Sequence, residues 1–348
     1  MDSLLHHASP LLILIVVIAL LFDFTNGFHD TANAIATSVA TRVLSPAVAI
    51  AMCAALNFAG AFFSTNVAQT IAKGLVETHA ATQTVILAAI VGAIVWNLVT
   101  WAFGIPSSSS HALIGGLIGA TIVHAGFQAV HWKGVLDKVV LPMLISPVVG
   151  GLLGFVLMAL IYLIFARTNA HKVDVIFHNL QRLSAAAMSF SHGQNDAQKT
   201  MGIITLALVS FHLMPGGDKV HIPTWVVLSC AAAMALGTAS GGWRIIHTMG
   251  SRIMRLAPVN GFAAEAAGSI TILGASAMGM AVSTTHVISG SIFGVGIAKN
   301  LYGVRWNTAQ RMVTAWGLTL PAAAAIAGLV LFGLHTFSPA SVPLAVQR

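Results

Sequence analysis

Two polar motifs each occur twice inside the long apolar stretches of this sequence. The first motif spans residues 27–33 (Gly-Phe-His-Asp-Thr-Ala-Asn) and 193–199 (Gly-Gln-Asn-Asp-Ala-Gln-Lys), and the second spans 108–111 (Ser-Ser-Ser-His) and 283–286 (Ser-Thr-Thr-His). An ionisable side chain at membrane depth is costly and therefore points to function. Because both motifs recur in the same order, they predict a duplicated fold with one central polar site built from both copies.

The composition is that of a helical membrane protein. The chain has 348 residues, of which 57% are hydrophobic and only 7% are charged, and its mean hydropathy is +0.88. Since a membrane-spanning helix needs about 20 apolar residues, the sequence predicts an all-α polytopic membrane protein with roughly 10–12 transmembrane segments. The net charge of +7 comes from Lys and Arg that lie mostly between apolar runs, which indicates membrane topology rather than nucleic-acid binding.

The positions of the motifs divide the chain into two halves. Asp30 and Asp196 are 166 positions apart, and His111 and His286 are 175 apart. We predict a first transmembrane repeat over 1–166 with a hairpin tip near 106–111, and a second over 184–348 with a tip near 282–286. Residues 167–183, rich in Arg, Lys and His, are predicted to form a basic linker between the repeats. Inverted repeats are expected, since they are common in transporters whose substrate site lies at the membrane midplane.

The serine-rich motifs have the chemistry of an anion site. Pro106 disfavours helix at the residue before it, and Ser or Thr is a favourable first residue of a helix, so a helix should begin near Ser108 at membrane depth. Two such helix N-termini that face each other offer N–H groups, hydroxyls and positive dipole ends. Hydroxyls that only bond back to helix carbonyls are the alternative, which the duplication disfavours. The predicted anion-binding residues are Ser108, Ser109, Ser110, Ser283, Thr284 and Thr285.

The aspartate motifs have the chemistry of a cation site. Carboxylates beside an anion site would repel the anion unless cations lie between them, and this arrangement is typical of a symporter, in which neither ion binds well alone. Asn and Gln supply oxygens for hard cations. Lys199 could pair with an aspartate or contact the anion, and for Glu265 a structural role fits the sequence as well as a functional one. The predicted residues for coupling a cation or proton are His29, Asp30, Asn33, Asn195, Asp196 and Glu265.

Residues from about 23 to 299 resemble the inorganic phosphate transporter (PiT) family. Segments 26–34 and 191–199 look like its two signatures, and segments 106–111 and 282–286 look like its two re-entrant hairpin tips. The resemblance implies two inverted repeats with one re-entrant helical hairpin in each. It also implies that phosphate is held between the tips and that cations lie near the aspartates.

Two departures from the family pattern bear on the coupling ion. Sodium-coupled members usually have Asn at the position of His29 and Glu at the position of Asn57. Both changes look like the bacterial low-affinity Pit branch, which is similar in coupling phosphate, often as a neutral complex with a divalent metal, to protons. Histidine charges near physiological pH, which favours H⁺ as the co-transported ion, with Na⁺ as the alternative and Mg²⁺ or another divalent cation carried as a phosphate complex.

The sequence thus predicts a secondary active symporter that imports inorganic phosphate across the bacterial cytoplasmic (inner) membrane. It predicts no enzyme, no cofactor and no fixed structural metal site; its partners are phosphate and the lipid bilayer, and a homodimer is left open. A transporter of another oxyanion such as sulfate is one alternative. An intramembrane hydrolase that uses Ser110 and His111 is disfavoured, because adjacent residues on one helix point in different directions and a nucleophile needs a fixed base. A purely structural membrane protein is the last alternative.

Overall fold

The computed structural model describes residues 9–73, 75–77, 79–215 and 220–337, and these residues are almost entirely helical, which confirms the all-α prediction. The first half contains α1 (Pro10–Ala40), α2 (Pro46–Gly60), α3 (Asn66–Lys73), α4 (Gln83–Ala102), α5 (Ser109–Ala125), α6 (Trp132–Val135) and α7 (Leu141–Ile164). The second half contains α8 (Ala170–Ser210), α9 (Thr224–Ser240), α10 (Trp243–Ser251), α11 (Pro258–Ala277), α12 (Thr284–Lys299) and α13 (Trp306–Phe337).

Four helical segments of the described chain are long and apolar enough to cross a membrane, and they confirm the membrane class. The bent pair α9 and α10, which meet at 71°, would form a fifth crossing. Helix α8 is longer than any of these, but its polar motif lowers its average hydropathy. The number of crossings therefore stays a prediction. The four segments are Pro10–Ala40, Gln83–Ala102, Trp132–Ile164 and Trp306–Thr336.

The packing of the helices keeps the same pattern when the two halves are exchanged. Helices α1 and α8 each carry an aspartate motif, and α5 and α12 each begin at a serine or threonine motif. Helix α5 packs against α13, and α12 packs against α7, so each of these helices contacts the last long helix of the other half. In the same way α1 packs against α9, and α8 packs against α2. This pattern is what two repeats would give; their inverted orientation stays a prediction.

Glycines in the aspartate motifs allow the close approach of neighbouring helices. A Cβ atom at Gly27 would overlap the carbonyl oxygen of Met234 in α9, and one at Gly193 would overlap the backbone of Asn57 in α2. Small residues let helix backbones come together in membrane proteins. The glycines thus hold the neighbouring aspartates at a fixed depth between helices.

The stretch predicted as a linker is instead largely helical. Helix α8 begins at Ala170, where the side chain of Asn169 accepts a hydrogen bond from the backbone N–H of His171 at 2.8 Å, and it continues without a break to Ser210. The basic residues of this stretch lie mostly on the exposed side of the helix, and whether the stretch links two repeats stays a prediction. Buried residues recur with helical spacing on its other side, at Phe177, Gln181 and Ser184.

Candidate functional site

Both serine or threonine motifs form helix N-termini inside the protein. Helix α5 begins at Ser109, and the hydroxyl oxygen of Ser108 accepts a hydrogen bond from the backbone N–H of His111 at 3.2 Å. Helix α12 begins in the same way, because Ser283 accepts from the backbone N–H of His286 at 3.3 Å. All these residues are buried. The predicted helix starts are therefore confirmed.

The two helix N-termini contact each other. The hydroxyl of Thr285 donates a hydrogen bond to the carbonyl oxygen of Ser107 at 2.9 Å. The rings of His111 and His286 meet edge to face with their centroids 4.8 Å apart, and His286 also stacks on Trp316. Two positive helix ends and their hydroxyls are thus brought to one place, which favours an anion.

Helix α1 places Asp30 in a buried hydrogen-bonded chain. The Nδ1 atom of His29 lies 2.7 Å from Oδ1 of Asp30, and its Nε2 atom lies 3.0 Å from the hydroxyl of Thr100 in α4. That hydroxyl in turn accepts a hydrogen bond from Ser107 at 2.9 Å. The chain connects Asp30 through the imidazole ring to the first tip.

Helix α8 surrounds Asp196 with donors and positive charge. Lys199 forms an ion pair with the carboxylate, and Nε2 of His192 lies 3.0 Å from Oδ2. The hydroxyl of Thr284 donates to Oδ2 at 3.0 Å, and the amide of Asn195 donates to Oδ1 at 2.9 Å. The ammonium group of Lys199 is almost fully buried, and a buried charge needs a partner of this kind.

Asn33 joins the helix α1 motif to the second tip. Its amide nitrogen lies 3.1 Å from the hydroxyl oxygen of Thr284 and 2.9 Å from that of Thr285. Asn195 of α8 makes the related contact, since its amide donates to the carbonyl oxygen of Val282 at 3.0 Å. Both aspartate motifs are therefore in direct contact with a helix N-terminus.

Asp30 and Asp196 lie close enough to share a cation. Together with His192 they offer three buried ligand atoms that all lie within 4.8 Å of one another. Two carboxylates at this separation repel each other unless a positive charge compensates them. Lys199 supplies one such charge, and a cation or proton bound near Asp30 would supply another.

Comparison with known proteins identifies the chain's relatives. Residues 26–327 match the phosphate transporter family, a match that covers most of the chain. The chain belongs to the phosphate transporter family. The family consists of transporters rather than enzymes, and the chain is accordingly a multi-pass membrane transporter.

Individual relatives agree with the family assignment. The chain is 50% identical to a probable low-affinity inorganic phosphate transporter of Bacillus subtilis (strain 168), over 93% of this chain and 97% of the relative. It is 49% identical to a protein of the same description from Rhizobium meliloti (strain 1021), over 95% of this chain and 98% of the relative. Among solved structures, a sodium-dependent phosphate transporter matches with a TM-score of 0.88 and 27% identity, over 94% of this chain and 100% of that one.

The six residues predicted to bind the anion all lie at the two tips, but their hydroxyls differ in what they do. Ser108 and Ser283 cap helices, and Thr284 and Thr285 donate to Asp196 and Ser107. Within the described part of the chain, the buried hydroxyl of Ser109 has no hydrogen-bond partner. Ser110 is likewise buried. Their binding of phosphate stays a prediction.

Glu265 does not join the group of Asp30 and Asp196. Its carboxyl group accepts hydrogen bonds from Thr37 and Ser184, both at 2.5 Å, and from Gln181 at 3.1 Å. Thr37 lies seven residues beyond Asp30 on α1, which corresponds to about 10 Å along the helix. Glu265 therefore forms the centre of a separate buried cluster.

Two functional candidates were not predicted from the sequence. His192 lies one helical turn before Asp196, so a continuous helix through the second motif would have pointed to it. Thr100, which contacts His29, stands alone in an apolar run. A single hydroxyl of that kind carries no signal before the fold is known.

Proposed function

We propose that the chain is a symporter that imports inorganic phosphate together with protons across the bacterial cytoplasmic membrane. The observation that carries the proposal is the direct hydrogen bond from one helix N-terminus to the buried carboxylate of Asp196, next to a second buried carboxylate, Asp30. The hydroxyl of Thr284, at one helix N-terminus, donates directly to Asp196. An anion at the tips and a positive charge at the aspartates would therefore stabilise each other, which is what symport requires.

The tips and the two aspartates support phosphate as the anion. Phosphate can be bound by backbone N–H groups and hydroxyls at a helix N-terminus. Protonated phosphate also donates hydrogen bonds, and Asp30 and Asp196 can accept them, whereas sulfate has no proton to donate. The names of the relatives agree with this choice of substrate.

His29 and Asn57 support protons as the coupling ions. His29 contacts Asp30 with one ring nitrogen, and histidine gains charge near physiological pH. Asn57 is occupied with His192 and Thr238 and adds no anionic oxygen. Sodium needs a cage of several oxygens, whereas a proton needs only one suitable group. A neutral complex of phosphate with Mg²⁺ or another divalent ion would lower the cost of desolvating the anion.

Transport into proteoliposomes with separately imposed ion gradients tests the proposal. We expect an inward proton gradient to drive phosphate accumulation, sodium to have no effect, and Mg²⁺ to increase uptake. Uptake that needs sodium and ignores the proton gradient would overturn proton coupling and leave phosphate as the substrate. Accumulation of sulfate in preference to phosphate would overturn the substrate.

Ser109 offers the cleanest test of the anion site. Ser109→Ala removes a hydroxyl that bonds to nothing else in the described chain, so folding should not change. Losing one hydrogen bond to a charged group costs about 1.5–3 kcal/mol, and phosphate affinity should fall roughly 10- to 100-fold. Ser146→Ala in α7 is the matched control, because that hydroxyl is also buried and without a partner in the described residues but lies outside both tips.

A further inference from the structure

Asp23 is a buried carboxyl group that the site described above does not use. It lies on α1 two helical turns before Asp30 and is fully buried. Neither of its carboxylate oxygens has a hydrogen-bond partner among the described residues. Burying a carboxylate without a partner is very costly, so such a group is stable only when a proton or a bound cation neutralises it.

The polar neighbours of Asp23 also have unused bonding capacity. Asn26 lies one turn further along α1, and Thr200 approaches from α8. In the described part of the chain, the side-chain amide of Asn26 forms no hydrogen bond, and neither does the hydroxyl group of Thr200. Three buried side chains from two helices thus converge with free donors and acceptors.

Among the residues that the structure describes, no basic group near Asp23 is free to neutralise it. Lys199 is the nearest positive charge, and it pairs with Asp196. Helix α9 contributes only the thiol of Cys230, and helix α4 contains no charged residue or histidine. The other helices that contact α1 carry further titratable groups, which include His192 of α8, Glu265 of α11, Arg244 and His247 of α10, His111 of α5, and His286 and Lys299 of α12.

The other half of the chain has no carboxyl group at the corresponding position. Moving by the 166-residue offset of the aspartate motifs leads from Asp23 to Ser189, whose hydroxyl donates to the carbonyl oxygen of Ala185 at 2.8 Å. The second half therefore has at this position a serine whose hydroxyl bonds within its own helix. The fold does not require an acid there, so Asp23 needs another explanation.

We propose that Asp23, with Asn26 and Thr200, forms a second proton site on the coupling pathway, separate from the group of Asp30 and Asp196. A carboxylate oxygen of Asp23 takes up the proton, and the resulting O–H donates to Asn26 or Thr200. A proton fits better than Na⁺, because the four side-chain oxygens of these three residues do not make the cage of about six or more oxygens that a hard metal ion prefers. The inference rests on the proposed function, since it supplies the place where a co-transported proton is held.

Infrared difference spectroscopy of Asp23→Asn tests the proposal. The wild-type protein in sodium-free buffer at neutral pH should show the carbonyl stretch of a protonated carboxylic acid, and this band should disappear in the variant. Asp174→Asn is the matched control, because it makes the same change at an exposed position of α8 and should keep the band. No band difference between wild type and Asp23→Asn would overturn the proposal, and loss of the wild-type band on adding sodium would identify a sodium site instead.

Transport measured in parallel separates this inference from the proposed function. Asp23→Asn should lose accumulation driven by a proton gradient, and Asp23→Glu, which keeps the acid, should restore it even where the asparagine variant folds poorly. If wild-type uptake ignores the proton gradient, proton coupling itself is wrong. If wild-type uptake is driven by protons and Asp23→Asn accumulates phosphate equally well, only the role of Asp23 is wrong.

Discussion

The buried cluster around Glu265 and the region that corresponds to it in the other half differ completely in polarity. Glu265 of α11 accepts hydrogen bonds from Thr37 of α1 and from Gln181 and Ser184 of α8. When the halves are exchanged by the offsets of 166 and 175 residues, all four positions become isoleucine. The counterparts are Ile90 for Glu265, Ile203 for Thr37, Ile15 for Gln181 and Ile18 for Ser184.

This difference shows where the two halves have diverged. Both halves keep the aspartate and a helix that begins at a serine or threonine motif, so the centre is nearly symmetric. Helices α1 and α8 run antiparallel, since Thr41 contacts Gln181 while Asp30 lies near Asp196. The Glu265 cluster and the isoleucine group therefore flank the centre on opposite sides. One flank is polar and the other apolar, so the free energy needed to hydrate each side during alternating access should differ.

Placing an acid in the isoleucine group should have the largest effect. Ile90→Glu would bury a carboxyl group without partners, at a cost on the order of 3–5 kcal/mol, and should abolish the folded protein. Ile90→Leu keeps the volume and should cost less than about 1.5 kcal/mol. The yield of monodisperse protein in detergent and its thermal unfolding measure the effect of each substitution.

Introducing all four polar residues of the Glu265 cluster into the isoleucine group tests the difference between the two flanks further. Adding donors to Ile90→Glu should recover folded protein, because the new carboxyl group then has partners. If Ile90→Glu alone were as stable as the wild type, the isoleucine group would not be the apolar flank that its residues indicate. The fourfold variant is Ile15→Gln, Ile18→Ser, Ile90→Glu and Ile203→Thr.

At the centre, breaking the ion pair of Asp196 and Lys199 should have the next largest effect. Asp196→Asn leaves the ammonium group of Lys199 buried without its partner, which costs about 3–5 kcal/mol. The double variant with Lys199→Met removes both charges and should regain most of the stability, measured by thermal unfolding. Its phosphate accumulation should stay absent, because the carboxylate that we propose to couple transport to the cation or proton is missing. A single variant as stable as the wild type would contradict the pairing.

Removing the acid from the polar flank should have a smaller effect. Glu265→Ala leaves Thr37, Gln181 and Ser184 without their acceptor, and we expect a loss of about 2–4 kcal/mol in unfolding free energy. Glu265→Gln keeps an acceptor oxygen at the same place and should lose clearly less. Thermal unfolding of the two variants measures this difference. Equal losses of unfolding free energy in both would mean that the hydrogen bonds of this cluster do not stabilise the fold.

The sequence was sufficient to predict the parts of the molecule that recur. The membrane class, the all-α fold, and the helix starts at Ser109 and Thr284 followed from composition and from short duplicated motifs. These features depend on local chemistry, such as serine capping a helix after Pro106, and local chemistry can be read from neighbouring residues.

The parts that depend on long-range packing could not be predicted. The burial of Gln181 against Glu265, in the basic stretch before Ser184, could not be read from the sequence because it depends on a distant residue. The difference in polarity between the two flanks could not be predicted for the same reason, since isoleucine is common in membrane helices. Thr100 became a candidate only when the structure brought it to His29.

Replacing His29 by asparagine, the residue at the corresponding position of the other half, should have the smallest effect on the stability of the fold. It should specifically change the pH dependence of phosphate binding. His29 corresponds to Asn195, and each residue contacts the aspartate that follows it, at 2.7 Å and 2.9 Å respectively. His29→Asn therefore keeps a donor to Asp30 and should change stability by less than about 1 kcal/mol. It removes the imidazole ring, which is the only side chain of the pair that can bind a proton and become positively charged.

The sign of the pH effect follows from the charge of the imidazole ring. A proton bound to His29 would add positive charge near the two helix N-termini, so wild-type phosphate affinity should depend more steeply on pH than that of a variant without the ring. His29→Asn removes this contribution and leaves those of phosphate and of the other titratable groups, so the profile should flatten. Phosphate-induced thermal stabilisation between pH 5.5 and 8 measures this, with Asn195→His as the matched variant that adds a ring in the other half. Identical profiles for wild type and His29→Asn would mean that the ring is only a hydrogen-bond donor, and that the centre is as symmetric in function as it is in its aspartates.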